Sequence, residues 1–227
     1  MRACAPSTPS LPYARTARPS AEVPNPLTLK LYDYLESGNG YKIRLLLHQL
    51  GVEYERIELD ITKGETRTPE FLALNRNGRI PLLVLEDGTP LPESDAILFY
   101  LAEGTPLLPA DRLGRAQVLR WMFFEQYSHE PYIAVVRFWV HTGVASQRPE
   151  EVKTRRQRGY EALGVMEDHL RGREFFVAET YTIADIALYA YTHVAHEGGF
   201  ELEEYPAVRA WLERVRSQPR HIPITEA

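Results

Sequence analysis

The hydrophobic pattern changes its period once along the chain, and that change restricts the fold more than any other feature. From residue 27 to about 103, short runs with a spacing of two are separated by stretches spaced three and four apart. Beyond the turn-rich segment EGTPLLPADR only helical spacing remains. A small α/β unit followed by an all-helical one is the architecture this implies. The expected boundaries are 27–103 for the first, 104–112 for a linker and 113–227 for the second.

Leu27, Leu29 and Leu31 alternate as in a strand with one buried face, and LESGNGYK then leads into a helix. In that helix Ile43, Leu46, Leu47 and Leu50 share one side, and Gly51 can end it. VEYERIELDI alternates again, with Ile57, Leu59 and Ile61 on one face, and PEFLALN is a short helix opened by Pro69. RIPLLVLEDGTPLPES reads as a hairpin turning at Asp87-Gly88, its return strand limited by Pro90 and Pro92. Ser94 is placed as the N-cap of a helix whose Ile97, Tyr100 and Leu101 share a face. The order is β-α-β-α-β-β-α.

In the second unit one long helix is expected over 113–140, carrying Trp121, Phe124, Tyr127 and Phe138. Another covers 150–171, and a last one has a Val208, Trp211, Leu212, Val215 stripe. TIADIALYA carries a capping box, Thr182 with Asp185 three residues on, and is read as structural. Residues 1–26, with six prolines and three arginines, show no period and are expected to be a disordered extension; the prolines argue against the amphipathic helix of a transit peptide.

Composition narrows the chemistry. A net charge of −5 disfavours nucleic acid or an anionic membrane as the main partner, and no apolar run reaches the roughly 18–20 residues of a membrane span. Cys4 is the single cysteine, so a CxxC pair and an internal disulfide are excluded. This suits a reducing cytoplasm, and any thiol chemistry needs a thiol supplied by a ligand.

GNGYK matches neither GxxxxGK[ST] nor GxGxxG, so the loop is not read as a nucleotide site. It still precedes a helix, where free N–H groups and the helix dipole favour an anion, and its glycines are expected to let the chain turn. Ser37 and Asn39 offer a hydroxyl and an amide; locally, a plain cap is the simpler role. The same alternatives stand at PESDAI. There Ser94 and the following N–H groups could hold a carboxylate, and Glu93 an ammonium. His193 and His196 of HVAHE match no zinc motif, so no metal is expected, and KTRRQR reads as a solvated helix face.

Taken together, NRNGRIPLLVLEDGTPLPESDAILFYLAE, TIADIAL and the two-unit order resemble a glutathione transferase over residues 27 to about 216. The resemblance implies a thioredoxin-like first domain that binds glutathione and a helical second domain with the second-substrate site. It implies that Pro81 is a cis-proline and that Ile80 pairs its backbone with the cysteinyl moiety. Glu93 and Ser94 would grip the γ-glutamyl end, and Arg79 or Lys63 would approach the glycyl carboxylate. SGNGYK is similar to the Thr-Pro-Asn-Gly loop of the bacterial and fungal prion-related, Nu-like subgroup. Asn39 is then the main contact to the sulfur and Ser37 its assistant, with Tyr32 and Tyr34 as rivals. Phe124, Tyr127 and Arg137 are the second-substrate candidates. A homodimer is implied. So is a glutathione-dependent enzyme, either transferase or disulfide-bond oxidoreductase, with a binding or scaffold protein of little turnover as the alternative.

Overall fold

The computed structural model describes residues 28–226. The extension expected over 1–26, with Cys4, and the first strand leucine, Leu27, lie outside the described residues.

Four short strands form one mixed sheet in the order β2-β1-β3-β4. β1 (Lys30–Asp33) pairs parallel with β2 (Glu55–Glu58), with Leu31 opposite Arg56. β3 (Leu82–Val84) pairs antiparallel with both β1 and β4 (Pro90–Pro92), and Asp87 accepts from the Thr89 N–H in the hairpin turn. The two prolines of β4 are tolerated because β4 is an edge strand with one neighbour.

α1 (Gly38–Leu50) crosses from β1 to β2, α2 (Pro69–Leu74) precedes β3, and α3 (Ser94–Leu101) follows β4. The sequence order β-α-β-α-β-β-α is thus the observed one. Leu31, Ile43, Leu46, Leu47, Leu83, Ile97 and Leu98 are fully buried between sheet and helices. Tyr100, expected on the inner face of α3, is instead 53% exposed, because Leu98 fills the buried position of that turn.

The helical part comprises α4 (Arg112–Phe124), α5 (Glu130–His141), α6 (Pro149–Leu170), α7 (Ile183–Thr192) and α8 (Pro206–Arg216). The single long helix expected over 113–140 is divided. A π turn, Glu125–His129, joins α4 to α5. Pro131 lies within the first turn of α5; it lacks an N–H and would crowd the preceding carbonyls of a regular α-helix. The π turn rotates Glu125 and His129 into the interior, where both are buried.

α7 is buried along its whole length. Its capping box is present: both Asp185 oxygens are used, one by the Thr182 backbone N–H and hydroxyl, the other by the Phe176 N–H and the Trp211 indole. Val208, Trp211 and Val215 of α8 close the core against it. α1 packs on α7, which fixes the start of α1 relative to the helical part.

Candidate active site

The start of α1 is built by close packing. Ser37 is the N-cap, its Oγ accepting from the Gly40 N–H at 3.3 Å. Gly38 and Gly40 are both helical, so neither serves the turn the sequence suggested. A Cβ on Gly38 would stand 2.5 Å from the Tyr191 ring, and one on Gly40 would collide with the Asp33 carboxylate. They are glycines because β1 and α7 approach the helix too closely for a side chain. Asp33 in turn accepts from Arg44 at 2.8 Å, and burial, partly offset by Arg44, pushes its carboxyl up to about 6.

Asn39, in the first turn of α1, is held from three sides. Its backbone N–H donates to the Tyr191 hydroxyl at 3.2 Å, its Nδ2 donates to Glu130 Oε1 at 2.9 Å, and its Oδ1 accepts from the Ser94 hydroxyl at 3.3 Å. Burial keeps the Tyr191 phenol well above the usual tyrosine range, so it remains protonated.

The Ile80-Pro81 peptide is cis. Ile80 precedes β3, and its N–H and C=O make no hydrogen bond among the described residues. Asn75 supports the turn before it, donating from Nδ2 to the Arg79 carbonyl at 2.8 Å.

The Ser94 assignment needs correction. Glu93 occupies the N-cap position of α3, with φ 73°, and makes no side-chain cap bond; Ser94 is the first helical residue. The Ser94 hydroxyl turns inward to Asn39 and to the Lys42 ammonium, 3.3 Å away. The first N–H groups of α3 are therefore left open at a helix start, where they attract an anion.

Two cavities meet at these residues. A polar one, about 240 Å³, is lined by Asn75, Asn77, Pro81, Glu93, Ser94 and Gln126. A more apolar one, about 340 Å³, includes Tyr34, Ser37, Ile61, Ala134, Val135 and Phe138. Asn39, Arg79, Ile80 and Glu130 line both, so they mark the junction.

The other sequence candidates separate cleanly. Arg79 is in the cleft, whereas Lys63 points into solvent and pairs with Asp60 at 2.8 Å, the i,i+3 neighbour of its own turn. Tyr34 lines the apolar cavity. Tyr32 does not; it packs edge-on against Phe71, with ring centroids 5.8 Å apart, whereas Tyr34 lies just past the end of β1, where strict strand alternation no longer applies. Arg137 lines the apolar cavity and bridges the two parts, donating to the Glu36 carbonyl at 2.7 Å and to Glu197 at 2.7 Å. Phe124 and Tyr127 line neither cavity. Phe124 packs edge-on against Trp121, and Tyr127, carried outward by the π turn, is 83% exposed. His193 stacks on Tyr189 at 4.5 Å and His196 faces outward, so the two histidines do not converge.

Several cleft residues carried no signal in the sequence. Glu130 and Tyr191 come from helices far along the chain, and Arg67 comes from the polar stretch after β2. Pro131 was the available hint: a proline inside a helical run marks a local break, and breaks of this kind cluster at functional sites.

Comparisons with known proteins agree with this geometry. Residues 27–103 match the model of the glutathione S-transferase N-terminal domain, and residues 120–219 match that of the C-terminal domain. Disulfide-bond oxidoreductase YfcG of Escherichia coli is 34% identical over 190 residues, covering 80% of this chain and 87% of that protein. The crystal structure of a glutathione S-transferase from Pseudomonas fluorescens is 55% identical with a TM-score of 0.86, covering 88% of this chain and all of that one. Ure2p, the yeast prion protein, in complex with glutathione is 28% identical with a TM-score of 0.79, covering 86% and 97%. With both domain models matched in order, the chain belongs to the glutathione S-transferase family.

Proposed function

We propose that the chain is a glutathione-dependent enzyme that stabilises the glutathione thiolate at Asn39 and Ser37 for attack on an electrophilic carbon or a disulfide. The observation that carries this reading is the junction of a polar and a more apolar cavity at Asn39 and Ile80. A ligand lying across that junction has its polar end at Glu93 and the open start of α3, and its reacting atom at Asn39. Glutathione fits in that order. Its ammonium meets Glu93, its γ-glutamyl carboxylate meets the N–H groups at Ser94, and its cysteinyl backbone pairs with Ile80 beside Pro81. Arg79, which lines both cavities, is the cation we assign to the glycyl carboxylate. The glutathione complex of the related Ure2p supports glutathione as the ligand, and the related disulfide-bond oxidoreductase YfcG supports a disulfide as the substrate.

A free thiol with a pKa near about 8.5 is only a few per cent ionised at neutral pH. Asn39 has one amide N–H left after Glu130 takes the other. Ser37 caps α1 through a lone pair and keeps its own hydrogen to donate. Both donors, with the helix start behind them, favour the anion and raise the thiolate fraction. The thiolate sulfur then forms a bond to the substrate in the apolar cavity, and the leaving group departs with the electron pair. Tyr34 is a weaker rival, because its hydroxyl donates to Glu36 at 3.2 Å; burial and Glu36 hold the phenol above its usual range. Arg137 is the second-substrate contact we retain.

The division into a glutathione-binding unit over 27–103, a linker over 104–112 and a helical unit over 113–227 is part of this reading. A symmetric homodimer is as well. A groove between α3 and α4, lined by Phe99, Tyr100, Leu119, Met122 and Phe123, leaves large apolar side chains uncovered, Phe123 at 67% exposure. A second copy laid across it joins the first unit of one chain to the second of the other. Among the described residues no helix is long and apolar enough to cross a membrane, and we place the enzyme in the cytoplasm, where reduced glutathione is available.

Parallel assays test the function. With glutathione, either an aryl halide is conjugated or a small disulfide is reduced, and Asn39→Ala lowers that rate by about one to two orders of magnitude. Glutathione binding with neither reaction would favour the scaffold reading, and no binding at millimolar ligand would remove both.

A further inference from the structure

Beneath the cleft lies a charged cluster that the thiolate chemistry leaves unused. Lys42 is fully buried, and its ammonium donates to Ser94 Oγ at 3.3 Å, Asp95 Oδ1 at 3.2 Å and Glu125 Oε2 at 2.9 Å. Burial works against that charge, but Asp95, Glu125 and Glu130 outweigh it and hold the lysine above its usual range. Burial also pushes Glu125 up to about 8 and raises Asp95, against the pull of Lys42. Two carboxylate oxygens in the cluster, Asp95 Oδ2 and Glu125 Oε1, have no partner. Such an arrangement is costly, and a purely apolar filling of the same volume is often as stable.

We propose that Lys42 is a positioning residue for the thiolate: its ammonium fixes the direction of the Ser94 hydroxyl and, through it, the orientation of the Asn39 amide. The proposal rests on the glutathione reading of the cleft. An ammonium has three hydrogens to give and no lone pair to offer. Ser94 Oγ can therefore only accept from Lys42, and its single hydrogen must go elsewhere. Asn39 Oδ1, at 3.3 Å, is the acceptor that receives it. With its oxygen held there, Asn39 turns its NH2 group to the other side. Glu130 Oε1, which as a carboxylate can only accept, takes one N–H at 2.9 Å. The second N–H remains for the sulfur.

A flipped amide would set its oxygen against Glu130 and its NH2 against a hydroxyl already pointing at it. It would also offer a carbonyl oxygen to a thiolate. The donor-only ammonium at one end and the acceptor-only carboxylate at the other exclude that state. Because the Ser94 hydrogen is committed to Asn39, the γ-glutamyl carboxylate is held by the backbone N–H groups of α3.

The test is the pH midpoint of thiolate absorbance in the ultraviolet, read on glutathione at saturation, with its Kd measured alongside. Two variants are compared with the wild type. Lys42→Met/Glu125→Gln removes the ammonium together with its nearest carboxylate, and Ser94→Ala removes the relay hydroxyl while keeping the Lys42 charge. The expected result is a midpoint about one pH unit higher in both, equal to about tenfold less thiolate at a fixed lower pH. A midpoint that rises in the double variant but not in Ser94→Ala makes Lys42 a simple charge and overturns the relay. Unchanged midpoints in both also overturn it, and if the double variant fails to fold, Ser94→Ala alone decides. A wild type that shows no thiolate signal overturns the glutathione reading itself, a separate outcome.

Discussion

Two helix starts in this molecule have nearly the same ingredients and opposite outcomes. At α7, Thr182 and Asp185 close the end completely: both carboxylate oxygens are satisfied, and the Trp211 indole and Phe176 N–H are drawn into the same cluster. At α3, a serine and an aspartate are again present, but as the first and second helical residues, Ser94 and Asp95, and they cap nothing. Glu93 takes the cap position with no side-chain bond, Ser94 turns to Asn39, and Asp95 turns to Lys42. A closed start stabilises the fold, whereas an open start facing a cavity is free to bind an anion. The difference lies in what surrounds each end. α7 is buried on all sides, while α3 begins where a cavity meets its first turn.

If that contrast is right, changes at α7 should act on stability and changes at α3 on binding. The largest effect is expected from Asp185→Ala. It strands buried donors on Thr182, Phe176 and Trp211, and chemical denaturation should read a loss of about 4 kcal/mol. Glutathione Kd in the remaining folded protein should stay unchanged. A large change in Kd would break the division between the two starts.

Acid should act on the α7 side as well. His129 donates or accepts at the Thr192 hydroxyl, 2.9 Å away near the other end of α7, and burial holds it down to about 3. The unfolded chain binds the proton from about pH 6.5 downward, the folded one only near 3. Its stabilisation is therefore complete above pH 6.5 and falls as pH drops through that window. Relative to His129→Gln, the wild type should lose about 3 kcal/mol more between pH 7 and pH 4. Asp33 and Asp185, both raised to about 6 by burial, act with the opposite sign in both proteins and cancel in the difference.

The smallest effect comes from the open start, and it should have two signs. Glu93 holds a positive φ of 73°, which strains any residue with a side chain. Glu93→Gly should raise stability by about 1 kcal/mol and weaken glutathione binding about tenfold, read by denaturation and by equilibrium titration. A gain in stability with no loss of affinity would mean that the strain at α3 does not serve the ligand.

The contrast also explains what could be read from the sequence. Periodicity made the element order legible, because Leu31, Ile43, Leu46, Leu47 and Leu83 obey strand and helix spacing and are all buried. Pro81, Glu93, Ser94 and Asn39, which line one cavity, were named for a ligand through the family resemblance, since locally a cap or an edge proline explains each of these element starts equally well. Ser94 was misplaced by one position, since a cap and a first-turn residue look alike in a sequence. Gly38 and Gly40 were assigned to a turn, whereas their reason lies in Tyr191 and Asp33, contacts that no local pattern reveals. Lys42, Glu125 and Glu130 stayed hidden for the same reason. Lys42 lies on a helix whose other residues explain its amphipathic pattern, and the two glutamates come inward only through the π turn before Pro131. Tyr127 entered the second-substrate set through the family resemblance, with no helical phase to orient it, and the same turn carries it outward.

The central claim is that the start of α1 lowers the pKa of a bound thiol through Asn39. Its most direct test is the ultraviolet thiolate titration of glutathione on the wild type and on Asn39→Ala. The expected midpoint on the wild type lies at least about one unit below the free value of about 8.5, and Asn39→Ala returns most of that shift. A wild-type midpoint at the free value, or one that Asn39→Ala leaves in place, would contradict the account.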